Sequence, residues 1–479
     1  MGWRGDARLT GGRGESGIAM SGFGTIDLSR ALARSAHVAD PAAFGPAVPA
    51  KLKLCLIDFL SCCFEARELA TSRQAIAVTT RVEGGAPIVG TTIAASPGDA
   101  AFANGTMGHG LVREDMHAGS IGHHGVVVWP TLLALAAGRT IPGATLLKAA
   151  LVGYETGARL GRALFDADLA RLYRPTGVLG PIGGAMAGSV LLGLSEDATV
   201  SAVAFAANCS AGLNQWPYTG AGDMYFHPGF AARSAVTAVG LAKAGAAGSP
   251  AILEGEAGLF AAFRRGPPRM PVALFADGTP EILAVYNKPV PACNFAQTAC
   301  QAALCVAREA GDPAAIRRLT IDLPEAAIRY PGCDFAGPFA HPLQAKMSIQ
   351  FGVAAVLRHG TVEEANYARL DDPGVLALAR LATLRCDAAL SGAFPAAQGA
   401  RVEVDLADGR RIASALADVV PATEPEIRTR FRAAAGVAVG SVRAVEIERL
   451  IDDCERLQDS GQIAAQCAAD ATMRATAAE

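Results

Sequence analysis

Within residues 49–64 apolar side chains recur at Leu52, Cys55, Leu56, Phe59 and Cys63. Steps of three and four place them on one face of a helix. Similar patterns of small residues predict helices over 100–105 and 131–137, the second with Pro130 near its first turn. In the helical stretch 146–164, Gly153, Gly157 and Gly161 fall four apart. Each glycine costs a helix about 1 kcal/mol against alanine, so a stripe of three predicts a face pressed onto a neighbouring backbone. Further helices are predicted over 180–194, 201–213 and, after the turn His227-Pro228-Gly229, over 231–244. The texture is helical to about Tyr286.

It then changes. Residues 318–323 (RLTIDL) and 400–406 (ARVEVDL) alternate with period two, and the second run leads into Asp408-Gly409, a hairpin signal. A helical pattern at 348–357 lies between them, and after Glu424 the pattern is helical again to about Gln466. The expected fold class is therefore mainly α. One large all-helical domain is built from 26–286 and 415–479, with an α+β domain inserted at 287–414.

Composition narrows the function. The chain has 479 residues, 51% hydrophobic and 18% charged, which suits two or three folded domains and excludes a disordered chain. Its 42 basic and 45 acidic side chains leave a net charge of −3, no basis for binding nucleic acid or an anionic membrane. Apolar runs such as 182–194 fall short of the ~20 residues a membrane helix needs. The 11 cysteines include no C-x-x-C pair, so reduced thiols and a cytoplasmic location are expected, without structural zinc or a disulfide framework. Residues 1–25 are expected to be a disordered leader, because their Gly- and Arg-rich start lacks the apolar core of a signal peptide.

Four of the eight histidines fall in GHGLVREDMHAGSIGHHG, as His109, His117, His123 and His124, together with Arg113, Glu114 and Asp115. Imidazoles beside acids in an otherwise apolar chain are the groups that move protons near neutral pH. The bland alternative is a solvated loop whose histidines cap helices. The spacing matches no standard metal motif, and no metal is assigned. There is no phosphate loop, dinucleotide fingerprint or Fe–S pattern, so no cofactor is expected.

The run AAFANGTMGHGLVREDMH, followed by GHHGVVVWPTLLALA, LLKAALVGYETGARLG, RPTGVLGPIGGAMAGS, FHPGFAARSAV, NKPVPACNFAQTACQAAL and AKMSIQFGVAAVL, resembles the MmgE/PrpD family over 26–466. That family includes dehydratases, decarboxylases and epimerases of small polycarboxylates. The resemblance implies a helical domain formed by both termini, the inserted part acting as a lid, a homodimer, and a site between the domains. The family's site pattern carries over only in part. Its first acid falls on Val112, its threonine on Met116, a second histidine on Arg174, a lysine on Met224, a further histidine on Cys293 and a tyrosine on Phe351. His123, His227 and Lys288 are retained, whereas His124 stands where the family has proline and Arg113 where it has phenylalanine.

From this follows the expected assignment. His123 moves the proton, with Glu114 or Asp115 orienting it and His117 and Lys288 as further catalytic groups. Arg174, Arg113, His124 and His227 contact the substrate, with Tyr225 and Asp223 as weaker candidates. The expected reaction is proton transfer next to a carboxylate of a small di- or tricarboxylate, foremost as a hydro-lyase. Isomerisation or epimerisation comes next, then decarboxylation, and a carboxylate-binding protein without turnover is the alternative of another class.

Overall fold

In the computed structural model, which describes residues 27–470, the 49–64 pattern becomes helix α1 (Ala47–Ala66), with Leu52, Cys55, Leu56, Phe59 and Cys63 all buried. The leader expected over 1–25 lies outside the described residues. Helix α2 (Pro97–His109) opens with Pro97 in its first turn and with the Ser96 side chain accepting the Asp99 N–H. Helix α3 (Gly125–Ala136) begins six residues before the expected start, so Pro130 sits inside it rather than near its first turn. Its beginning is set by the site: the Gly125 N–H donates to Asp115 Oδ1 at 3.3 Å.

Helices α4 (Gly143–Leu164), α5 (Pro175–Leu191), α6 (Glu196–Ala207) and α7 (His227–Lys243) complete the first bundle. The glycine stripe on α4 has two uses. At Gly153 it admits α5, since a Cβ there would lie 2.9 Å from the Ala187 Cβ, and the Gly153 carbonyl is 2.9 Å from where a Cβ at Gly183 would be. At Gly157 and Gly161 the room is taken by side chains instead: a Cβ would lie 2.5 Å from His124 Nδ1 and 2.5 Å from the Ser120 Cβ, respectively. The helix expected over 201–213 stops at Ala207. The chain then folds back on α5, where the Arg174 N–H donates to the Gly212 carbonyl at 2.8 Å. A small antiparallel pairing of Arg81–Pro87 with Ala94–Ala95 interrupts the helical texture.

Helix α8 (Gln297–Ala310), strand β1 (Ile316–Leu323), helix α9 (Ile349–His359) and strands β2 (Ala382–Cys386), β3 (Ala400–Leu406) and β4 (Arg411–Leu416) form an α+β unit. The sheet order is β2-β1-β3-β4, with β1 and β2 parallel and the other pairs antiparallel. The β3–β4 hairpin turns at Asp408-Gly409, where Gly409 takes a φ of 86° that favours glycine. Helices α10 (Glu424–Val439) and α11 (Ser441–Asp452) follow, α10 lying along α1 with Phe431 edge-on to Phe64.

The fold is mainly α. Among the described residues no helix is long and apolar enough to cross a membrane. Buried apolar side chains form two large clusters, one drawn from 28–285 and 422–467, the other from 290–412. Four residues from the first part of the chain, Val112, Trp216, Met224 and Tyr225, join the second cluster. They mark where the two meet, and the titratable side chains collect beside them.

Candidate active site

His109 is the last residue of α2, and the chain leaves it through a strained bend. Val112, a β-branched residue, takes a φ of 57°, a conformation that costs about 1–3 kcal/mol and needs support from its surroundings. Two buried lysines supply it. Lys288 Nζ donates to the Val112 carbonyl, and Lys346 Nζ donates to the Gly110 and Leu111 carbonyls at 3.2 Å each. Three successive carbonyls are thus held from residues beyond 287, which fixes the loop that carries Glu114.

Glu114 Oε1 stands 2.5 Å from His109 Nδ1 and 2.9 Å from His123 Nδ1. Arg174 donates from Nη2 to His109 Nε2 at 3.1 Å, so the His109 proton sits on Nδ1 and is given to Glu114. His123 Nδ1 also lies 3.0 Å from the Asp115 carbonyl. With two acceptors around it, Nδ1 carries the proton and leaves the Nε2 lone pair free. Among the described residues no side chain hydrogen-bonds to that Nε2. The His123 backbone is held as well, its N–H donating to Thr176 Oγ1 in the first turn of α5 at 3.1 Å.

Burial lowers the His123 imidazole to about 4, opposed by Glu114 and aided by the charges of Lys288 and Arg174. It is therefore neutral at pH 7, a base rather than a cation. Burial alone would raise the Glu114 carboxyl, but the two imidazoles on it hold it well below the usual carboxylate range. Lys288 is brought down to about 8 by burial, with Glu114 pulling the other way. Arg174 is the N-cap residue of α5. A cation there opposes the helix dipole, so its place is set by its contacts with His109 and with the Trp216 ring, 5.8 Å away. His227 belongs to the same neighbourhood: burial and the Arg174 charge lower it to about 4, and its buried Nδ1 has no partner.

Other expected site residues are turned elsewhere. Arg113 was expected to meet a substrate carboxylate, but its guanidinium is paired with Glu65, Nη2 to Oε2 at 2.5 Å. A carboxylate of the chain itself thus takes the place of the substrate's. The Asp115 carboxylate faces away from His123, accepting from Tyr154 Oη and the Gly125 N–H; only its backbone carbonyl reaches the imidazole. His117 donates from Nε2 to Glu281 at 2.9 Å and accepts the Ser120 N–H at Nδ1. His124 bonds Ser120 Oγ at 2.9 Å through Nε2, and its ring rests on Gly157. Asp115, His117 and His124 thus belong to a supporting layer behind His123. Tyr225 is buried edge-on to His109, and Asp223 lies in the short turn before α7.

His109, Glu114 and His123 offer ligand atoms within 4.8 Å of one another, the make-up of a metal site. The protons argue otherwise. Both Nδ1 atoms donate to the same carboxylate oxygen, and a divalent ion would have to displace them beside Arg174 and Lys288.

Asp115 gives a pH test of the supporting layer. Burial raises its carboxyl from 3.8 to about 7, opposed by the Tyr154 hydrogen bond. The folded chain keeps this proton over a range in which the unfolded chain has lost it, so the Asp115 contribution to stability declines as pH rises from about 4 to about 7. Neutral buried His123 has the opposite sign, its contribution lost as pH falls from 6.5 toward about 4. Asp115→Asn removes only the first of these. The melting temperature of the variant relative to the parent is expected to rise between about pH 4 and 7. A difference that stays constant across that window contradicts the assignment.

Lys346 does not figure among the residues expected from the sequence, and His109, counted there in the histidine cluster, is given no role of its own. His109 ends a helix five residues before Glu114, and that spacing brings the two side chains together. Lys346 stands alone in an apolar stretch, and nothing local announces its carbonyl partners.

A neutral histidine with a fixed tautomer, an ionised glutamate behind it and two cations nearby can take or give a proton beside a bound anion. The comparisons bear on the chain as a whole. The MmgE/PrpD N-terminal domain matches residues 30–270 and the MmgE/PrpD C-terminal domain residues 290–456. The chain belongs to the MmgE/PrpD family. It is 28% identical over 451 residues to a cis-aconitate decarboxylase-like protein of Aspergillus oryzae, covering 87% of this chain and 92% of that protein. It is 25% identical over 442 residues to a cis-aconitate decarboxylase of Aspergillus terreus, covering 85% and 89%.

Proposed function

We propose that the chain is a cofactor-independent hydro-lyase of a small di- or tricarboxylate, cytoplasmic and homodimeric, with 287–414 closing as a lid over the cleft. The observation that carries the reading is a neutral histidine base beside a lysine whose ammonium is brought down to about 8. Elimination of water needs that pair: His123 Nε2 takes the proton from the carbon next to a carboxylate, and Lys288 protonates the departing hydroxyl. Arg174 uses the N–H groups not given to His109 to anchor a substrate carboxylate, and its contacts with His109 and the Trp216 ring hold the guanidinium in place.

Decarboxylation is the second reading, favoured by the names of the relatives at 25–28% identity. The test is incubation with a panel of hydroxylated and unsaturated di- and tricarboxylates, with products identified by NMR. Loss or addition of water supports the hydro-lyase, and release of carbon dioxide supports the second reading. Inversion at carbon without either identifies an epimerase. Saturable binding with no conversion overturns catalysis and leaves a carboxylate-binding protein.

Arg174→Lys keeps the charge but loses the planar fork. Substrate affinity is expected to weaken by on the order of 1.5–3 kcal/mol, read by titration calorimetry. Unchanged affinity removes Arg174 from the anchoring role.

A further inference from the structure

Cys293 and Cys333 are forty residues apart in the chain, yet their Sγ atoms stand 3.6 Å apart. Cys293 follows Lys288 by five residues and caps the short turn Asn294–Ala296 that runs into α8. Its N–H donates to the Lys346 carbonyl at 2.8 Å, and the Cys333 carbonyl accepts the Ile349 N–H at 3.0 Å. Both backbones are therefore held while the thiols face each other. Both thiols are buried, and a cleft of about 230 Å³ opens on the neighbouring residues without being lined by either cysteine. Gly332 and Asp334, which flank Cys333, line it together with Trp216, the ring beside Arg174.

We propose that Cys293 and Cys333 form a peroxide-reactive thiol pair that closes to a disulfide at the wall of the candidate active site. The inference does not rest on the hydro-lyase reading, because it concerns thiols that the reaction above does not use. Cys293 is the attacking thiol. The hydrogen bond with Cys333, the Phe295 N–H and the charges of Lys288 and Arg174 hold it below the ordinary thiol range in spite of burial, and reactivity follows the thiolate. Burial and the neighbouring Cys293 push Cys333 well up, which makes it the resolving partner.

The Cys293 thiolate attacks one oxygen of hydrogen peroxide. An S–O bond forms, the O–O bond breaks, and hydroxide leaves to become water, giving a sulfenic acid. Cys333 then gives up its proton and attacks that sulfur. The S–S bond forms, the S–O bond breaks, and a second water departs. Two thiols are oxidised and one peroxide is reduced to two waters. Bringing Sγ atoms from 3.6 Å to the ~2.05 Å of a disulfide asks for side-chain rotation of two neighbours already in contact.

The test uses the full chain, treated with hydrogen peroxide, alkylated and mapped by mass spectrometry without reduction. The exposed Cys209 and Cys386 serve as dose markers. The expected result is a cross-linked peptide joining Cys293 to Cys333, absent after dithiothreitol. In Cys333→Ser the reaction stops at the sulfenic acid, so dimedone is expected to label Cys293 at least about tenfold more than Cys300, which burial raises to about 12. The proposal is overturned if Cys293 and Cys333 both remain alkylatable in the unmodified sequence at a dose that oxidises the exposed markers. Pairing of Cys293 with any other cysteine overturns it too.

Discussion

His123→Gln is expected to lower turnover by about 10²–10⁴-fold, the usual contribution of a positioned acid or base, while substrate binding largely survives. Glutamine fills a similar volume and can still hydrogen-bond to Glu114 and the Asp115 carbonyl. It has no lone-pair nitrogen at the place of Nε2 and does not titrate near neutrality. The loss should therefore fall on kcat, with KM or a directly measured Kd changed little. A thermal melt separates this from misfolding, since His123 is buried and its backbone N–H anchors it to Thr176. Near-normal turnover in a folded variant passes the proton-transfer role to another group.

Glu114→Gln is expected to cost turnover to a similar degree by a different route. The carboxylate makes no contact with substrate in this account. It accepts from both imidazoles at one oxygen, which fixes their tautomers and leaves His123 Nε2 free. An amide loses the charge and offers N–H as well as C=O. It is then free to turn its nitrogen toward Nδ1, which forces the proton of His123 onto Nε2 and abolishes the base. A drop of about 10²–10⁴-fold in kcat is expected, in keeping with loss of the carboxylate that orients a catalytic histidine. A structural role alone would lower stability without moving the pH–rate profile. Loss of orientation lowers kcat and also shifts the profile, because the His123 imidazole no longer faces a fixed negative charge. An unshifted profile with full activity contradicts the role.

Much of the architecture was legible because helices and strands write their periods into the sequence. The α1 face at Leu52, Cys55, Leu56, Phe59 and Cys63 is buried as spaced, and RLTIDL and ARVEVDL pair as neighbouring antiparallel strands. The glycine stripe on α4 announced close approach, although at Gly157 and Gly161 what approaches is His124 and Ser120 rather than a helix. The density of titratable groups at 109–124 marked the stretch in which the buried imidazole–carboxylate cluster lies. What the sequence withheld was the pairing. Arg113 meets Glu65 across 48 residues, His117 meets Glu281 across 164, and Lys288 reaches Val112 across 176. Nothing in local composition distinguishes a guanidinium aimed at substrate from one already satisfied by its own chain. His109 is the clearest case: its place at the end of α2 and its bond to Arg174 give it the central position between the glutamate and the cation.

The most direct measurement of the central claim, that His123 moves a proton at carbon next to a substrate carboxylate, is solvent exchange in D₂O. A polycarboxylate that binds is incubated with the parent chain and with His123→Gln, and deuterium at each carbon is followed by NMR. The account predicts incorporation at the carbon adjacent to a carboxylate with the parent. With His123→Gln it predicts a rate lower by about 10²-fold or more, at concentrations where both proteins are saturated. Equal incorporation by the two proteins, or binding by the parent with no incorporation at any carbon, contradicts it.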